Sequence, residues 1–314
     1  MASVAEPRRV RKKRRPRPDE GVWYPRWFWP SFAAPATLYL AIFFVLPFYV
    51  IVSVALGTVD PIFQSPLPVF QPWYWSLHYV NKVIGDAVGF ERPVYIRTFV
   101  FVVISSVLCV VIAYAVAYYV ARFAGRRKGL FLALLIAPFF ISYLMRMLAW
   151  INLLEPDGYV NKLMNALPLV PHNVNWLAGN PVTLVLGLVY GYVPYMILPF
   201  YGFLDRIEQS LLEAGRDLGA SPARTFFRVT LPLSKQAILA GLVIVTLPMF
   251  GDYYTHDLLS PSPKTSMVGN MLDNAVTSIG QGPQAAVLVL ILMFILLIPM
   301  IYYLRSTSRE LRAR

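Results

Sequence analysis

The sequence has little of what catalytic and metal sites require. Its 314 residues contain one cysteine, Cys109, so no disulfide can form within the chain. The three histidines, His78, His172 and His256, are scattered, and we predict loop positions for them rather than a metal site. The sequence contains no Gly-x-x-x-x-Gly-Lys-Ser/Thr phosphate loop and no Gly-x-Ser-x-Gly elbow. We therefore expect no catalytic residue, no metal and no cofactor in this chain.

Charged residues are also scarce. They make up 14% of the chain, whereas hydrophobic residues make up 57% and the mean hydropathy is +0.56. A soluble domain carries about 25% charged residues, so this composition is typical of a chain embedded in a bilayer. Segments of about 20 apolar residues can cross the hydrocarbon as helices. The sequence predicts an all-α, polytopic membrane protein with six transmembrane helices, approximately Phe32–Leu56, Arg97–Ala121, Leu130–Leu154, Val182–Phe203, Gln236–Leu258 and Gln284–Leu304.

The basic residues lie mainly on one side of these spans. Of the 28 Lys and Arg residues, 22 precede the first span, follow the second, lie in the loop 205–235 or lie in the C-terminal tail. Basic loops stay in the cytosol, so we place both termini and the loop 205–235 there. The net charge of +12 then indicates topology and no nucleic-acid partner.

Three parts of the chain follow from this topology. Residues 1–31 are predicted to be a disordered, basic cytosolic arm with an aromatic interfacial segment. Residues 32–304 form the six-span domain, and residues 305–314 form a cytosolic tail. The arm either fixes the topology alone or also binds anionic membrane lipid.

The loops assigned to the outer side are slightly acidic. They carry seven Asp and Glu against five Lys and Arg, a net charge of −2. A mildly acidic entrance favours cationic solutes. Alternatively, these loops lack basic residues only because basic loops are poorly translocated. The first outer loop, 57–93, either packs on its own spans or meets an extracytoplasmic partner.

The cytosolic loop between the fourth and fifth spans contains a predicted amphipathic helix. Ile207, Leu211, Ala214 and Leu218 fall on one helical face, and the charged residues fall elsewhere. Gly219 is predicted to end this helix, because glycine readily adopts the left-handed conformation of a helix C-terminus.

A second short helix is predicted directly after that glycine. Ser221 is a suitable N-cap and Pro222 a suitable first helical residue, and we expect the helix to end before Leu231–Pro232. The helix carries Phe226 and Phe227. Two adjacent phenylalanines are costly to leave in water, so we predict that a protein partner covers at least one of them.

Two ionisable residues lie within predicted spans. Arg146 would cost about 2.5 to 3.5 kcal/mol at the centre of a span, so it must face a partner or water. Asp252 follows Pro248 and Gly251, which can break the fifth helix, and broken helices that line a cavity commonly hold substrate contacts. An acid flanked by Tyr253 and Tyr254 can bind a cation by charge pairing and cation–π contact. Alternatively, both ionisable residues belong to interhelical polar pairs or to helix ends.

Five residues of the loop 205–235 stand at a recognisable spacing: Glu213, Ala214, Gly219, Leu231 and Pro232. This pattern resembles the EAA signature of ABC importer permeases, through which such subunits dock on their ATPase. The chain departs from the family pattern at Gly215, where the family has alanine, and at Val229, where it usually has isoleucine.

The EAA resemblance implies a type I ABC importer permease architecture that works by alternating access. It also implies several partners: ABC ATPase subunits that bind ATP and Mg, a second permease that is identical or related, and an extracytoplasmic solute-binding protein. The ATPase-coupling residues implied are Glu213, Ala214, Gly215, Gly219, Ser221, Pro222, Phe226, Phe227, Leu231 and Pro232.

Two further stretches are similar to spermidine/putrescine permeases. One runs from Ala137–Phe140 through Arg146 and Trp150 to Gly158–Asn161, and the other is Asp252–Asn270. The similarity implies import of polyamines across a bacterial plasma or inner membrane. The substrate-pathway residues that we infer are Asp252, Tyr253, Tyr254, Arg146, Tyr143 and Trp150.

Two other functions remain open at this point. The chain could be an ABC permease for another small solute, or a secondary transporter driven by an ion gradient. A secondary transporter needs intramembrane acids for coupling, and only Asp252 qualifies. It also leaves the loop around Glu213 without a role. A membrane-embedded enzyme fits less well, because no pair of catalytic groups occurs.

Overall fold

The computed structural model of the protein describes residues 27–166 and 174–313, with side chains described up to residue 308. Most of the predicted basic arm falls on residues 1–26, and His172 falls on 167–173, so both lie outside the described residues. The described residues are mostly helical, which confirms the all-α prediction.

Thirteen helices and one small hairpin can be followed through the described ranges. The hairpin pairs β1 (Thr58–Val59) with β2 (Pro66–Leu67) in antiparallel register. The helices are α1 (Phe28–Ala55), α2 (His78–Val88), α3 (Arg92–Arg122), α4 (Lys128–Ile136), α5 (Tyr143–Leu154), α6 (Tyr159–Asn165), α7 (Pro181–Leu204), α8 (Gln209–Asp217), α9 (Pro222–Leu233), α10 (Lys235–Phe250), α11 (Tyr254–Leu259), α12 (Val268–Thr277) and α13 (Gly282–Ala313).

Four helices are long and apolar enough to cross a membrane: α1, α3, α7 and the part of α13 up to Ser308. If each of two bent helix pairs counts as one span, the described residues contain up to six candidate spans. This number agrees with the six predicted from the sequence.

The third predicted span is bent rather than continuous. A short 3₁₀ turn, Ala137–Phe140, ends the segment that contains α4, and Ile141 is extended. Ser142 then caps α5, since its side-chain oxygen accepts a hydrogen bond from the Met145 amide at 3.3 Å. The two halves meet at 91°. The bend turns α5 toward the break in the fifth span.

The fifth predicted span breaks where the sequence indicated. Pro248 lies in the last turn of α10, the helix ends at Phe250, and the chain becomes helical again at Tyr254. Residues 251–253 therefore form a short non-helical segment within the predicted span. At its other end, α10 begins after Ser234, where it meets α9 at 62°.

The main hydrophobic core lies where α3, α7 and α10 pack together. It includes Cys109, Met196 and Phe200, all fully buried. Gly241 of α10 permits the close approach to α7, because an added Cβ would lie 2.6 Å from the Phe200 ring. Small residues at helix contacts are typical of membrane proteins.

The loop 57–93 packs on other parts of the chain. Val83 of α2 is buried in a second cluster with Ala55, Ala275 and Leu288, which belong to the end of α1, to α12 and to α13. Of the two possibilities for this loop, the structure therefore shows packing on the chain's own helices.

A local turn orders the hairpin in this loop. The Asp60 carboxylate accepts hydrogen bonds from the amides of Ile62 and Phe63 at 2.7 and 3.0 Å. The bonds from Phe63 and Ile62 lower the pKa of Asp60, because they stabilise the ionised carboxylate.

Candidate functional site

The loop 205–235 folds into two helices that meet at a sharp turn, and we call residues 209–233 the elbow. Gly219 ends the first helix with a φ of +78°, a left-handed conformation that favours glycine. Ser221 caps the second helix by accepting a hydrogen bond from the Arg224 amide at 3.3 Å, and Pro222 is its first residue. These features confirm the predicted glycine stop, N-cap and proline.

The apolar residues in and around α8 differ in burial. Leu212 is the buried residue, 7% exposed, whereas Leu218 is 89% exposed and Leu211 is also exposed. Ile207 is buried but precedes the helix. Leu218, Leu211 and Ile207 belong to the apolar stripe that the sequence predicts. In the structure, part of that stripe faces away from the described chain.

The second helix is longer than predicted. It does not end before Leu231–Pro232 but continues through a π turn, Phe226–Thr230, to Leu233. A proline lacks the amide hydrogen that a regular helix uses, and π turns occur where the regular hydrogen-bond ladder is interrupted. As a result, α9 joins α10 with only Ser234 between them.

The two adjacent phenylalanines have different environments. Phe226 packs edge to face on Tyr114 and Tyr118, with ring centroids 5.6 and 5.5 Å apart. Phe227 is 64% exposed. Only Phe227 is thus available to a partner, and Phe226 fastens the elbow to α3.

Other predicted residues of the elbow lie on its surface or between its helices. Glu213 accepts a hydrogen bond from Gln209 at 2.9 Å and lines an open cavity of about 190 Å³. Ala214 is exposed. Gly215 faces α9, where an added Cβ would meet a Thr225 methyl group at 3.5 Å, an ordinary contact distance. An alanine at position 215, as in the EAA pattern, would therefore fit.

Asp252 lies in the break between α10 and α11 and is only 7% exposed. The Thr255 amide donates to its Oδ1 at 2.9 Å, and the Thr255 hydroxyl donates to its Oδ2 at 2.8 Å. Two hydroxyls from other spans, of Tyr192 and Tyr143, donate to the same Oδ2 at 2.9 and 3.2 Å. We call these four residues the Asp252 site. Its carboxylate has the hydrogen-bond partners that a buried charge requires.

An open cavity of about 220 Å³ adjoins the Asp252 site. Asp252, Tyr143 and Tyr192 line it together with Tyr253 and Tyr254, whose rings stack with centroids 4.2 Å apart. The cavity therefore presents one carboxylate surrounded by aromatic faces. A cation of suitable size can meet both kinds of group there.

Arg146 is near this site but does not pair with Asp252. Its guanidinium carbon lies 5.4 Å from the centre of the Tyr143 ring, and the residue is 6% exposed. Its Nε has no hydrogen-bond acceptor among the described residues. Trp150 packs on Tyr190 at 5.3 Å instead. The structure thus groups Tyr143, Asp252, Tyr253 and Tyr254, adds Arg146 behind Tyr143, and leaves Trp150 outside.

Tyr192 and Thr255 were not predicted from the sequence. Thr255 is three residues after Asp252, a spacing that allows a side chain to cap a helix start. Tyr192 lies in another span, sixty residues away in the sequence, and no local pattern marks it.

Loop positions were predicted for the histidines, but two of them lie in helices. His256 is buried in α11, where its ring nitrogens lie 2.8 Å from an Asp257 oxygen and 3.0 Å from the Ser262 carbonyl. His78 begins α2. Within residues 27–166 and 174–313, no group of three His, Cys, Asp or Glu side chains is arranged to hold a metal ion.

Helices that span a bilayer, a helical elbow between two spans and a broken helix beside a cavity together define a polytopic membrane transport subunit. Residues 113–307 match the family of binding-protein-dependent transport system inner membrane components, and the chain belongs to that family. It is a multi-pass inner-membrane permease subunit of an ABC importer and is not itself catalytic.

Curated relatives and solved structures agree with this assignment. The spermidine/putrescine transport system permease protein PotB of Escherichia coli (strain K12) is 28% identical over 269 residues, 86% of this chain and 94% of that protein. The inner membrane ABC transporter permease protein YdcU of the same strain is 33% identical over 174 residues, 52% and 55% of the two chains. The fold is similar to a chain of a bacterial alginate ABC transporter solved with its alginate pentasaccharide-bound periplasmic protein, with a TM-score of 0.69, 15% identity and coverage of 90% and 94%. These similarities support the type I permease architecture predicted from the sequence.

Proposed function

We propose that this subunit imports polyamines such as spermidine and putrescine, and that Asp252 contacts the cargo. The observation that carries the proposal is the buried Asp252 carboxylate beside an open, tyrosine-lined cavity at a helix break. The names of the PotB relatives, which are spermidine/putrescine permeases, support the same class of solute.

The Asp252 site suits an ammonium group for two reasons. The Oδ2 atom now accepts three hydroxyl hydrogen bonds, and an ammonium N–H can take the place of one of these donors while its charge pairs with the carboxylate. The rings of Tyr143 and Tyr192 remain nearby for cation–π contact. Arg146, behind Tyr143, orients that ring while cargo passes.

The elbow is the proposed docking surface for an ATPase that binds ATP and Mg. Phe227 and Leu218 are the most exposed of its large apolar groups, and Glu213 and Gly219 fix its shape. Closure of the ATPase on ATP would displace α9 and, through the single intervening residue Ser234, α10. Because α10 leads to the Asp252 site, this displacement favours one of two alternating-access states.

The proposed assembly has further members and a defined orientation. Both termini and the elbow face the cytosol, in line with the distribution of basic residues. A second permease, identical or related, completes the pathway, and an extracytoplasmic binding protein delivers cargo. The family description, a component of binding-protein-dependent transport, supports the binding protein.

ATP hydrolysis by the purified complex tests the proposal. The complex is placed in lipid with its binding protein and titrated with spermidine, putrescine, sulfate and maltose. Stimulation by the polyamines alone is the expected result. Stimulation by another solute would retain the ABC permease and overturn the polyamine assignment, whereas the absence of any co-purifying ATPase would overturn the docking role of the elbow.

A further inference from the structure

Arg122, the last residue of α3, is hydrogen-bonded to the end of α7. One guanidinium nitrogen, Nη2, donates to the carbonyl oxygens of Leu204 and Ile207, each at 2.9 Å. The Leu204 carbonyl belongs to the last residue of α7, where carbonyl groups lack partners within the helix. A charged donor satisfies such groups strongly. Arg122 thus ties the end of one span to the end of another, just before the elbow begins.

Arg122 also lies against the elbow itself. It lines the same cavity as Glu213 and Arg216 of α8, and its Nε lacks an acceptor in the described part of the chain. A second link lies beside it, because the Lys128 ammonium pairs with Asp205 at 2.6 Å. The two links join the end of α3 and the start of α4 to the end of α7 and the residues between α7 and α8.

We propose that Arg122 is a positioning residue for energy coupling, a role that rests on the ATP-driven function proposed above. Only residues 205–208 separate α7 from α8, and Ile207 among them is buried. A displacement of α8 by the ATPase therefore moves the Ile207 carbonyl, and Arg122 passes that displacement to α3. Since α3 packs along α7 in the core, the two spans move together. Without Arg122, ATP hydrolysis continues, but a smaller fraction of hydrolysis events moves α3 together with α7.

The test is the number of cargo molecules imported per ATP hydrolysed, measured in proteoliposomes that contain the complete complex. For Arg122→Gln we expect this ratio to fall about tenfold, within the range of coupling between sites in proteins. Recovery of the complex by size-exclusion chromatography should not change. The matched control is Arg126→Gln, which removes the same charge four residues away from an exposed side chain that makes no hydrogen bond or ion pair with the described residues. Arg122→Lys, which keeps a charged donor, should restore part of the ratio.

Each outcome decides a different point. An unchanged ratio in Arg122→Gln, with a functional wild type, would overturn the coupling role and leave polyamine import intact. Equal losses in Arg122→Gln and Arg126→Gln would assign the effect to net charge and also overturn it. A wild-type complex with no cargo-stimulated hydrolysis would overturn the proposed function and the coupling role together. A fall in the number of cargo molecules imported per ATP only in Arg122→Gln, partly restored in Arg122→Lys, would support the coupling role and the proposed function.

Discussion

The elbow and the Asp252 site place their functional groups in opposite ways. Leu218 and Phe227 on the elbow are 89% and 64% exposed. Asp252 is 7% exposed, and its carboxylate accepts four hydrogen bonds from within the chain. An exposed apolar surface is costly in water unless a partner covers it. A buried charge with its own donors is stable without a ligand.

The contrast separates two kinds of binding. The elbow suits a partner that stays bound throughout the transport cycle, because Leu218 and Phe227 remain largely exposed in the subunit alone. The Asp252 site suits cargo that arrives and leaves, since the carboxylate exchanges tyrosine and threonine hydroxyls for ammonium donors and takes them back.

Phe226 and Phe227 provide a comparison within the elbow itself. Phe227→Ala should weaken ATPase binding about thirtyfold, because a central aromatic anchor contributes about 2 kcal/mol to an interface. The thermal unfolding of the Phe227→Ala variant should change little. Phe226→Ala should instead lower the free energy of unfolding by about 3 kcal/mol, since it removes the packing on Tyr114 and Tyr118. Pull-down of the ATPase measures binding, and thermal melts measure stability. Equal losses of ATPase binding in the two variants, with equal stability, would contradict the different roles assigned to Phe226 and Phe227.

Gly219→Val tests the shape of the elbow. A β-branched residue at a φ of +78° is strained by about 1–2 kcal/mol, so the turn should shift and ATPase binding should fall about tenfold. Gly215→Ala is the matched control, because its new methyl group meets Thr225 at 3.5 Å without a clash. Co-purification of the ATPase measures both. Normal assembly of Gly219→Val would show that the left-handed turn is not needed for docking.

Tyr192→Phe tests the exchange of donors at Asp252. The variant loses a hydroxyl that competes with the ammonium for Oδ2, so the polyamine concentration giving half-maximal uptake should fall about fivefold. Without cargo, the variant should be less stable by about 1 kcal/mol, because the Asp252 carboxylate loses one hydrogen-bond donor. Tyr190→Phe, whose side chain packs on Trp150, is the control. A rise in the half-maximal concentration would mean that Tyr192 itself holds the cargo.

Lys128→Gln should have the smallest effect. The pair with Asp205 is 2.6 Å long, but both side chains are more than a third exposed. Exposed pairs contribute about 0–1 kcal/mol, so the melting temperature should hardly change. Lys82→Gln on the exposed face of α2 is the control. A large loss of stability would show that the link at the α7 end depends on Lys128 more than on Arg122.

The elbow was predictable from sequence wherever local geometry decides the structure. Gly219, Ser221 and Pro222 occupy the predicted positions because a left-handed stop, an N-cap and a first-turn proline depend only on neighbouring backbone. The apolar stripe of α8 was recognised, but the sequence did not indicate that Leu212 packs inside while Leu218 is exposed. Which face is buried depends on the helices that surround α8, and the spacing of apolar residues does not contain that information.

The Asp252 site was only partly predictable for a related reason. Pro248 and Gly251 indicated the helix break, and the structure confirms that break. Tyr192 reaches Asp252 only because α7 packs near the break, a contact between residues sixty positions apart. Position along a span gives no signal of such a partner. The bend at Ile141–Ser142, which brings Tyr143 to the same carboxylate, was likewise absent from the hydropathy pattern.

The most direct test of cargo contact at Asp252 is the spermidine concentration that half-maximally stimulates ATP hydrolysis, compared between wild type and Asp252→Asn in the reconstituted complex. Asparagine keeps an oxygen for the Thr255 amide but removes the charge, so the α11 cap is retained. The account predicts a rise of about tenfold or more with normal assembly, because a charged hydrogen bond is lost. Asp157→Asn, at an exposed acid outside the site, should leave the concentration unchanged. An unchanged concentration in a fully assembled Asp252→Asn complex would contradict the account and leave Asp252 with a structural role alone.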